Sequence, residues 1–409
     1  MRGCSHCLAH ESRLGCIAIV QKKMKLSPTV QDATAVAPLS TAPAPRFQNF
    51  VFIDVLRAFA AILVVVYHTI EHSAWKEFPA YGFWQVFQIG WIGVDLFLVI
   101  SGFVIAYSAI NELEKSKDGF RRRFFIRRLA RIAPLYFLTL AVFIFLVNPE
   151  MLSVPLQSAL WHIGSHSLFI HNLHPQTFGS INGANWSVGL EMQFYVFMIC
   201  VMPWLYRRSP YLVLALIPLA IAWRFGSTLL APYGVSSVHV QHVWTAQLPG
   251  TLDEFAVGIF LAMLVKSRHP WARRLLSPGW PAFLGWAAAT TLMIWLALAI
   301  FIPHSSYWDH AHMVTYWRSL LGLAFGCLLA SAITFPAARL AVFRPLRYLG
   351  EISYGLYLWH LPVLLTLVAV PSLRGSQLLM WVLIGTGTLA CLSWHWMEKP
   401  MVQIFKKKN

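Results

Sequence analysis

About ten stretches of this chain are apolar and long enough to cross the hydrocarbon of a bilayer, and no other feature of the sequence limits the fold as tightly. They run over roughly 50–70, 84–107, 132–147, 186–206, 211–226, 250–266, 281–302, 314–333, 349–370 and 377–397. The third and fifth are short, and Pro203, Pro218 and Pro362 predict kinks. The runs are continuous rather than alternating at period two, so they read as helices and not as strands of a barrel. Composition agrees. Of 409 residues, 57% are hydrophobic and 12% charged, whereas an ordinary soluble domain carries about 25% charged residues. A water-soluble globule could not cover that much apolar surface. A soluble enzyme, a disordered chain and a disulfide scaffold are excluded. What remains is an all-α integral membrane protein, a bundle of about ten transmembrane helices.

Thirty-two Lys and Arg against 16 Asp and Glu give a formal charge of +16. With the N-terminus inside, 27 of the 32 fall in the N-terminal tail, in the segments 112–131, 207–208, 266–274 and 336–347, and at the C-terminal end. Lys76, Arg224, Arg318 and Arg374 fall at the outer side, and Arg57 within the first span. This bias places both termini in the cytoplasm and requires an even number of spans. The charge therefore reads as topology and contact with inner-leaflet lipid, with no nucleic-acid partner. Residues 1–46 read as a disordered cytoplasmic tail, 47–400 as the membrane domain and 401–409 as a basic cytoplasmic tail. The apolar run 14–20 is too short for a signal-peptide core. The six Cys form no disulfide framework. Cys4-x-x-Cys7 with His6 and His10 lacks the second ligand pair of a tetrahedral site, so no metal is expected. Ten His fall in the expected outer loops, among them His72, His162, His166, His171 and His242, and read there as polar loop residues.

A charge in the hydrocarbon costs at least about 2.5 kcal/mol, which makes each ionisable residue there a candidate for function. The first span, FVFIDVLRAFAAILVVVYHTI, carries Asp54, Arg57 and His68. Arg57 and His68 are separated by three helical turns plus about 20°, so they point the same way, roughly 16 Å apart. Asp54, one turn before Arg57, can pair with it. Singly, Arg57 could snorkel to the headgroups and His68 could cap the outer end; a polar stripe from one side to the other is harder to assign to packing. Asp95 falls in the second span, GVDLFLVISGFVIAY, and Glu191 about two turns below the outer surface in NWSVGLEMQFY. Asp253 and Glu254 open the sixth span. His360 lies near mid-membrane, one turn from Tyr357. Packing accounts for Tyr357 comfortably, and for Asp95 and Glu191 poorly. In GFRRRFFIRRLARIAPLY, Arg128 and Arg131 share a helical face, with Arg127 beside them. The positive-inside bias supplies part of this cluster. Arginine in place of lysine favours bidentate phosphate recognition, and with it a phosphate-bearing donor on the cytoplasmic side.

These stretches, in this order, resemble the acyltransferase 3 family of bacterial integral membrane O-acyltransferases. The residues that carry the resemblance are DVLRAFAAILVVVYH, GVDLFLVISGF, FFIRRLARIAPLY, NWSVGLEMQFY, LDEFAVGIFLAML, ISYGLYLWH and MEKP, over roughly 50–400. The resemblance implies ten helices in the bacterial cytoplasmic (inner) membrane. It implies transfer of an acyl group, acetyl by default, from cytoplasmic acyl-CoA to a hydroxyl at the outer face. The acceptor would be a glycan such as O-antigen or exopolysaccharide, or a lipid-linked sugar. Arg57, His68, Arg128 and Arg131 are the residues it implicates in activity. Of the glutamate pair common in the family's fourth span only Glu191 is present, since Met192 follows it. The hydrolase-like domain fused to some members is not seen after the tenth span, which weighs against peptidoglycan as the acceptor.

The expected roles follow from what acyl transfer requires. His68 serves as general base or transient acyl carrier. Arg127, Arg128 and Arg131 hold the nucleotide phosphates of acyl-CoA, a co-substrate rather than a permanently bound cofactor. The pantetheine arm passes Arg57, while Asp95 and Glu191 orient His68 or bind acceptor hydroxyls. A transporter or polysaccharide exporter without chemistry is the competing class, though no inverted repeat is visible; an acyltransferase for a small secondary metabolite is another alternative. His304 and Asp309 stand at H-x4-D spacing, which a chain with 16 His produces readily by chance.

Overall fold

A computed structural model describes residues 51–79, 81–230, 235–336 and 344–407. The tail expected over 1–46, with its Cys4–Cys7 group, lies outside the described residues. Every element is helical, and no strand occurs among the described residues. The helices are α1 (Val51–Ser73), α2 (Ile92–Lys115), α3 (Phe120–Val142), α4 (Leu156–Ser167), α5 (Trp186–Leu205), α6 (Leu216–Leu230) and α7 (Val235–Thr245). They continue with α8 (Leu248–Lys266), α9 (Trp280–Phe301), α10 (Arg318–Thr334), α11 (Arg344–Glu351), α12 (Ser353–Val368), α13 (Gly375–Ser393) and α14 (Lys399–Lys407). Among the described residues nine helical segments are long and apolar enough to cross a membrane. There are ten if α11 and α12, which meet at 67°, form one broken span. The protein is a multi-pass membrane protein.

The bundle is built around α2, α8 and α10, whose apolar windows are 72–78% buried, against 17–22% for α6, α9 and α13 at the rim. Helices α2 and α8 pack backbone to backbone. A Cβ on Gly102 would lie 2.3 Å from the Phe255 carbonyl oxygen, and one on Gly258 would lie 2.1 Å from that of Val99. Small residues at such a contact permit dispersion and close approach where lipid offers no hydrophobic drive. Helix α1 packs on α2, α11 and α12, so the polar face of the first span meets the ninth.

Three span boundaries differ from the hydropathy reading. The second span begins at Ile92 instead of 84, because Gly82–Trp84 forms a 3₁₀ turn and Gln85–Gln88 a separate short helix. Its Tyr81, Phe83 and Trp84 side chains are exposed, as suits an interfacial aromatic cluster. The third begins at Phe120 instead of 132. The arginine-rich segment is therefore the first three turns of α3 and not a loop. Arg, Leu and Ala are good helix formers, but an apolar window registers only the later turns. The last span runs on through a π-turn, Trp394–Glu398, into α14.

Candidate active site

Five helices converge on a cavity of about 100 Å³. Helix α1 contributes Arg57, α3 contributes Arg128 and Arg131, and α5 contributes Ser187, Glu191 and Tyr195 one turn apart. Helix α12 adds Ser353, Tyr354 and Tyr357, and α2 closes the wall with Val94, Phe97, Leu98 and Ser101. Arg128 and Arg131 stand three residues apart and Ser187, Glu191 and Tyr195 four apart, so α3 and α5 each offer a single stripe to the cavity. Four of the sequence candidates thus meet in one place: Arg57, Arg128, Arg131 and Glu191.

The charges around this cavity do not cancel. Three guanidiniums face one carboxylate, and Glu191 already accepts a hydrogen bond from the Tyr195 hydroxyl at 2.5 Å. The Arg128 guanidinium lies over the rings of Phe124 (5.2 Å) and Tyr195 (5.8 Å). Among the described residues Arg57, Arg128 and Arg131 make no hydrogen bond and no ion pair within 4.0 Å. Unpaired guanidiniums lining a largely apolar pocket form a ready site for an anion, since an isolated buried charge is costly. Arg127 does not belong to this group. It forms an ion pair with the buried Glu112, which also takes Arg123 Nε at 3.2 Å, and it does not line the cavity. The helical register turns Arg127 about 100° from Arg128, toward α2.

His68 stands beyond the cavity, three turns along α1 from Arg57, and like Arg57 it faces α12. Its neighbour there is His360, fully buried, with ring centroids 5.0 Å apart. The hydrogen-bond network assigns the protons. His360 Nδ1 lies 2.5 Å from the Tyr357 carbonyl oxygen, which can only accept, so Nδ1 carries hydrogen and Nε2 is a lone-pair acceptor. That Nε2 lies 3.1 Å from His68 Nδ1, which is therefore N–H and is shared with the Val64 carbonyl oxygen at 3.1 Å. His68 Nε2 is left with a free lone pair and has no partner among the described residues. The Tyr357 hydroxyl donates to the Ala184 carbonyl (2.9 Å) and accepts from Ser187 (2.7 Å) at the cavity wall. Tyr357 and His360 thus link the cavity to His68. Sequence reasoning treated Tyr357 as packing and gave His360 no role; the only signal was an ionisable residue at mid-span.

Two acidic candidates sit elsewhere. Asp95 is fully buried, but it faces α8 and α10, where its Oδ1 lies 3.2 Å from Arg318 Nε; it neither lines the cavity nor reaches His68. Asp54 pairs with Arg347 of α11 at 3.7 Å and forms no ion pair within 4.0 Å with Arg57, because one helical turn carries its carboxylate toward α11. Arg318 and Arg224, expected near the outer surface, are buried inside the bundle. Several of the expected loop His are also interior. His166 and His171 are fully buried and stack with centroids 4.0 Å apart, and burial lowers them to about 3 and about 4.

A family model described as an acyltransferase domain matches residues 50–397, and the chain belongs to that family. It is 28% identical over 374 residues to peptidoglycan O-acetyltransferase OatA of Listeria monocytogenes, covering 85% of this chain and 55% of that protein. It is 27% identical over 380 residues to nodulation protein 10 of Rhizobium leguminosarum, covering 86% and 93%. It is also 22% identical over 369 residues to O-acetyltransferase OatA of Staphylococcus aureus, covering 85% and 56%. The chain spans about half the length of the two O-acetyltransferases. No solved structure matches it.

Proposed function

We propose that this protein is a membrane O-acyltransferase that moves an acetyl group from acyl-CoA to a hydroxyl of a carbohydrate acceptor. The observation that carries the reading is the convergence of three unpaired guanidiniums on a cavity that Tyr357 and His360 connect to a lone-pair imidazole nitrogen on His68. Family membership and the names of two relatives, both O-acetyltransferases, support the chemistry.

In this reading the Arg-bearing end of the bundle is cytoplasmic, in the inner membrane of a bacterium, and both termini lie on that side. Arg128 and Arg131 hold phosphates of acyl-CoA, and its arm threads past Arg57. The acceptor oxygen attacks the thioester carbonyl while His68 Nε2 takes the hydroxyl proton. His360 Nε2 accepts from His68 Nδ1–H and so holds the ring with its lone pair outward. Collapse of the tetrahedral intermediate forms the ester and expels CoA thiolate, which takes the proton back from the imidazolium. Glu191, hydrogen-bonded by Tyr195, is the counter-charge that keeps the guanidiniums from repelling one another.

The test is release of free CoA from acetyl-CoA by the purified protein in lipid nanodiscs, with and without an oligosaccharide acceptor. Acceptor-dependent release that His68→Ala abolishes supports the reading. No release with any glycan, alongside flux of polysaccharide across proteoliposomes, would assign the protein to the exporters.

A further inference from the structure

Behind α2, on the side away from the cavity, lies a second set of buried charges: Asp95, Asp253, Glu254, Arg224 and Arg318, none more than 6% exposed. Arg224 and Asp253 form a closed unit. The guanidinium donates to both Asp253 oxygens at 3.1 and 2.7 Å, and its other N–H groups go to the Thr315 carbonyl (3.0 Å), the Gly250 carbonyl (2.5 Å) and Ser319 Oγ (2.6 Å). Ser319 in turn donates to Asp253 at 2.5 Å. That pair is neutral and fully bonded.

The remaining three groups do not balance. Arg318 has one ion-pair partner, Asp95, at 3.2 Å, and its Nη1 is unbonded among the described residues. Glu254 is wholly buried between α2, α8 and α10, beside Gly322, and neither of its carboxyl oxygens has a hydrogen-bond partner among the described residues. Gly322, against which Glu254 packs, stands one turn from Arg318 on α10, so the Glu254 carboxyl lies beside the Asp95–Arg318 pair, and neither Asp95 oxygen has a hydrogen-bond partner among the described residues. Two ionised carboxylates offer only acceptors to each other, and with one guanidinium they would leave a net negative charge in the core. An uncompensated buried charge is strongly destabilising. The charged and titratable groups that face Glu254 or the Asp95–Arg318 pair are Asp253 on its own helix, Arg224 on α6, His242 on α7 and Tyr307 in the turn before α10; none supplies the missing positive charge, since Arg224 is spent on Asp253 and burial, with Arg318 nearby, lowers His242 to about 3 and keeps it neutral.

We infer that Asp95 and Glu254 form a proton-binding carboxyl pair, in which one proton sits on Glu254 and is donated to Asp95, whose other contact is the Arg318 guanidinium. Two like charges side by side in the core cannot both persist beside a single guanidinium, and one shared proton makes the trio neutral while satisfying an oxygen on each side. Nothing in the proposed acyl transfer requires this site.

The test combines thermal unfolding of the full chain in nanodiscs with infrared spectroscopy. Glu254→Gln, whose amide mimics the protonated acid, is expected to leave the unfolding midpoint unchanged. Asp95→Asn should lower it modestly, because Glu254 then ionises to face Arg318. Asp95→Asn with Glu254→Gln should lower it by more than the sum of the single changes. The wild type should show a protonated-carboxyl carbonyl band that Glu254→Gln removes, a readout that holds even if the double variant does not fold. A midpoint in Glu254→Gln as low as that of the double variant, the absence of that band in wild type, or stabilisation by Na⁺ over choline would each overturn the proposal, the last by placing a metal cation where the proton is inferred.

Discussion

The two faces of α2 handle buried charge in opposite ways. Toward α8 and α10, Arg224 and Arg318 each meet a carboxylate, and the Arg224 guanidinium has a partner for every N–H. Toward α1, α3 and α5, the guanidiniums of Arg57, Arg128 and Arg131 line a cavity without an ion pair among the described residues. A satisfied ion pair is part of the scaffold, and cutting it costs stability. A set of partly buried cations without ion pairs is instead a surface suited to an anion. The same residue type thus has two meanings, distinguished by who its neighbours are.

Substitutions on the two faces should therefore separate activity from stability. The largest effect is expected from His68→Ala: turnover falls about 10²–10⁴-fold, the usual contribution of a general base, while the unfolding midpoint in detergent stays near wild type. Asp253→Asn should do the reverse, costing about 3–5 kcal/mol of stability because it strands the buried Arg224 guanidinium; thermal unfolding measures it. A smaller effect belongs to the stacked His166 and His171. Their folded-state values, about 3 and about 4, lie below the ordinary value, so their contribution is complete above about pH 6.5 and is lost as pH falls toward 4. The midpoint should be flat near neutrality and decline on acidification, and His166→Gln should flatten the decline. Least affected should be Arg127→Gln. Its ion pair with Glu112 is partly exposed, so it is worth about 1 kcal/mol or less, and acyl-CoA affinity should change less than twofold.

How much of this the sequence discloses depends on the range of the interaction. The spans follow from windows of apolar residues. The common face of Arg57 and His68 follows from helical periodicity, and so does that of Arg128 and Arg131. These are local properties. The start of α3 is not legible to hydropathy, because a helix made of arginine and leucine is invisible to a scale that looks for lipid. Partnerships across the bundle are not legible at all: His68 meets His360, 292 residues away, and Asp95 meets Arg318. Asp95 therefore looked catalytic when read on its own helix, and Arg127 looked equivalent to Arg128 until Glu112 was placed beside it. Glu254 stood in plain view as an acid in a span, but its isolation is visible only once its neighbours are known.

The claim on which the comparison turns is that the unpaired arginines take the acyl donor. Calorimetric titration of acetyl-CoA into the protein in nanodiscs, wild type against Arg128→Ala with Arg131→Ala, tests it most directly. Loss of two charge-assisted contacts at about 1.5–3 kcal/mol each predicts a fall in affinity of at least about 100-fold with an unchanged unfolding midpoint. Equal affinity in the two proteins would contradict the account and leave the cavity without its anion.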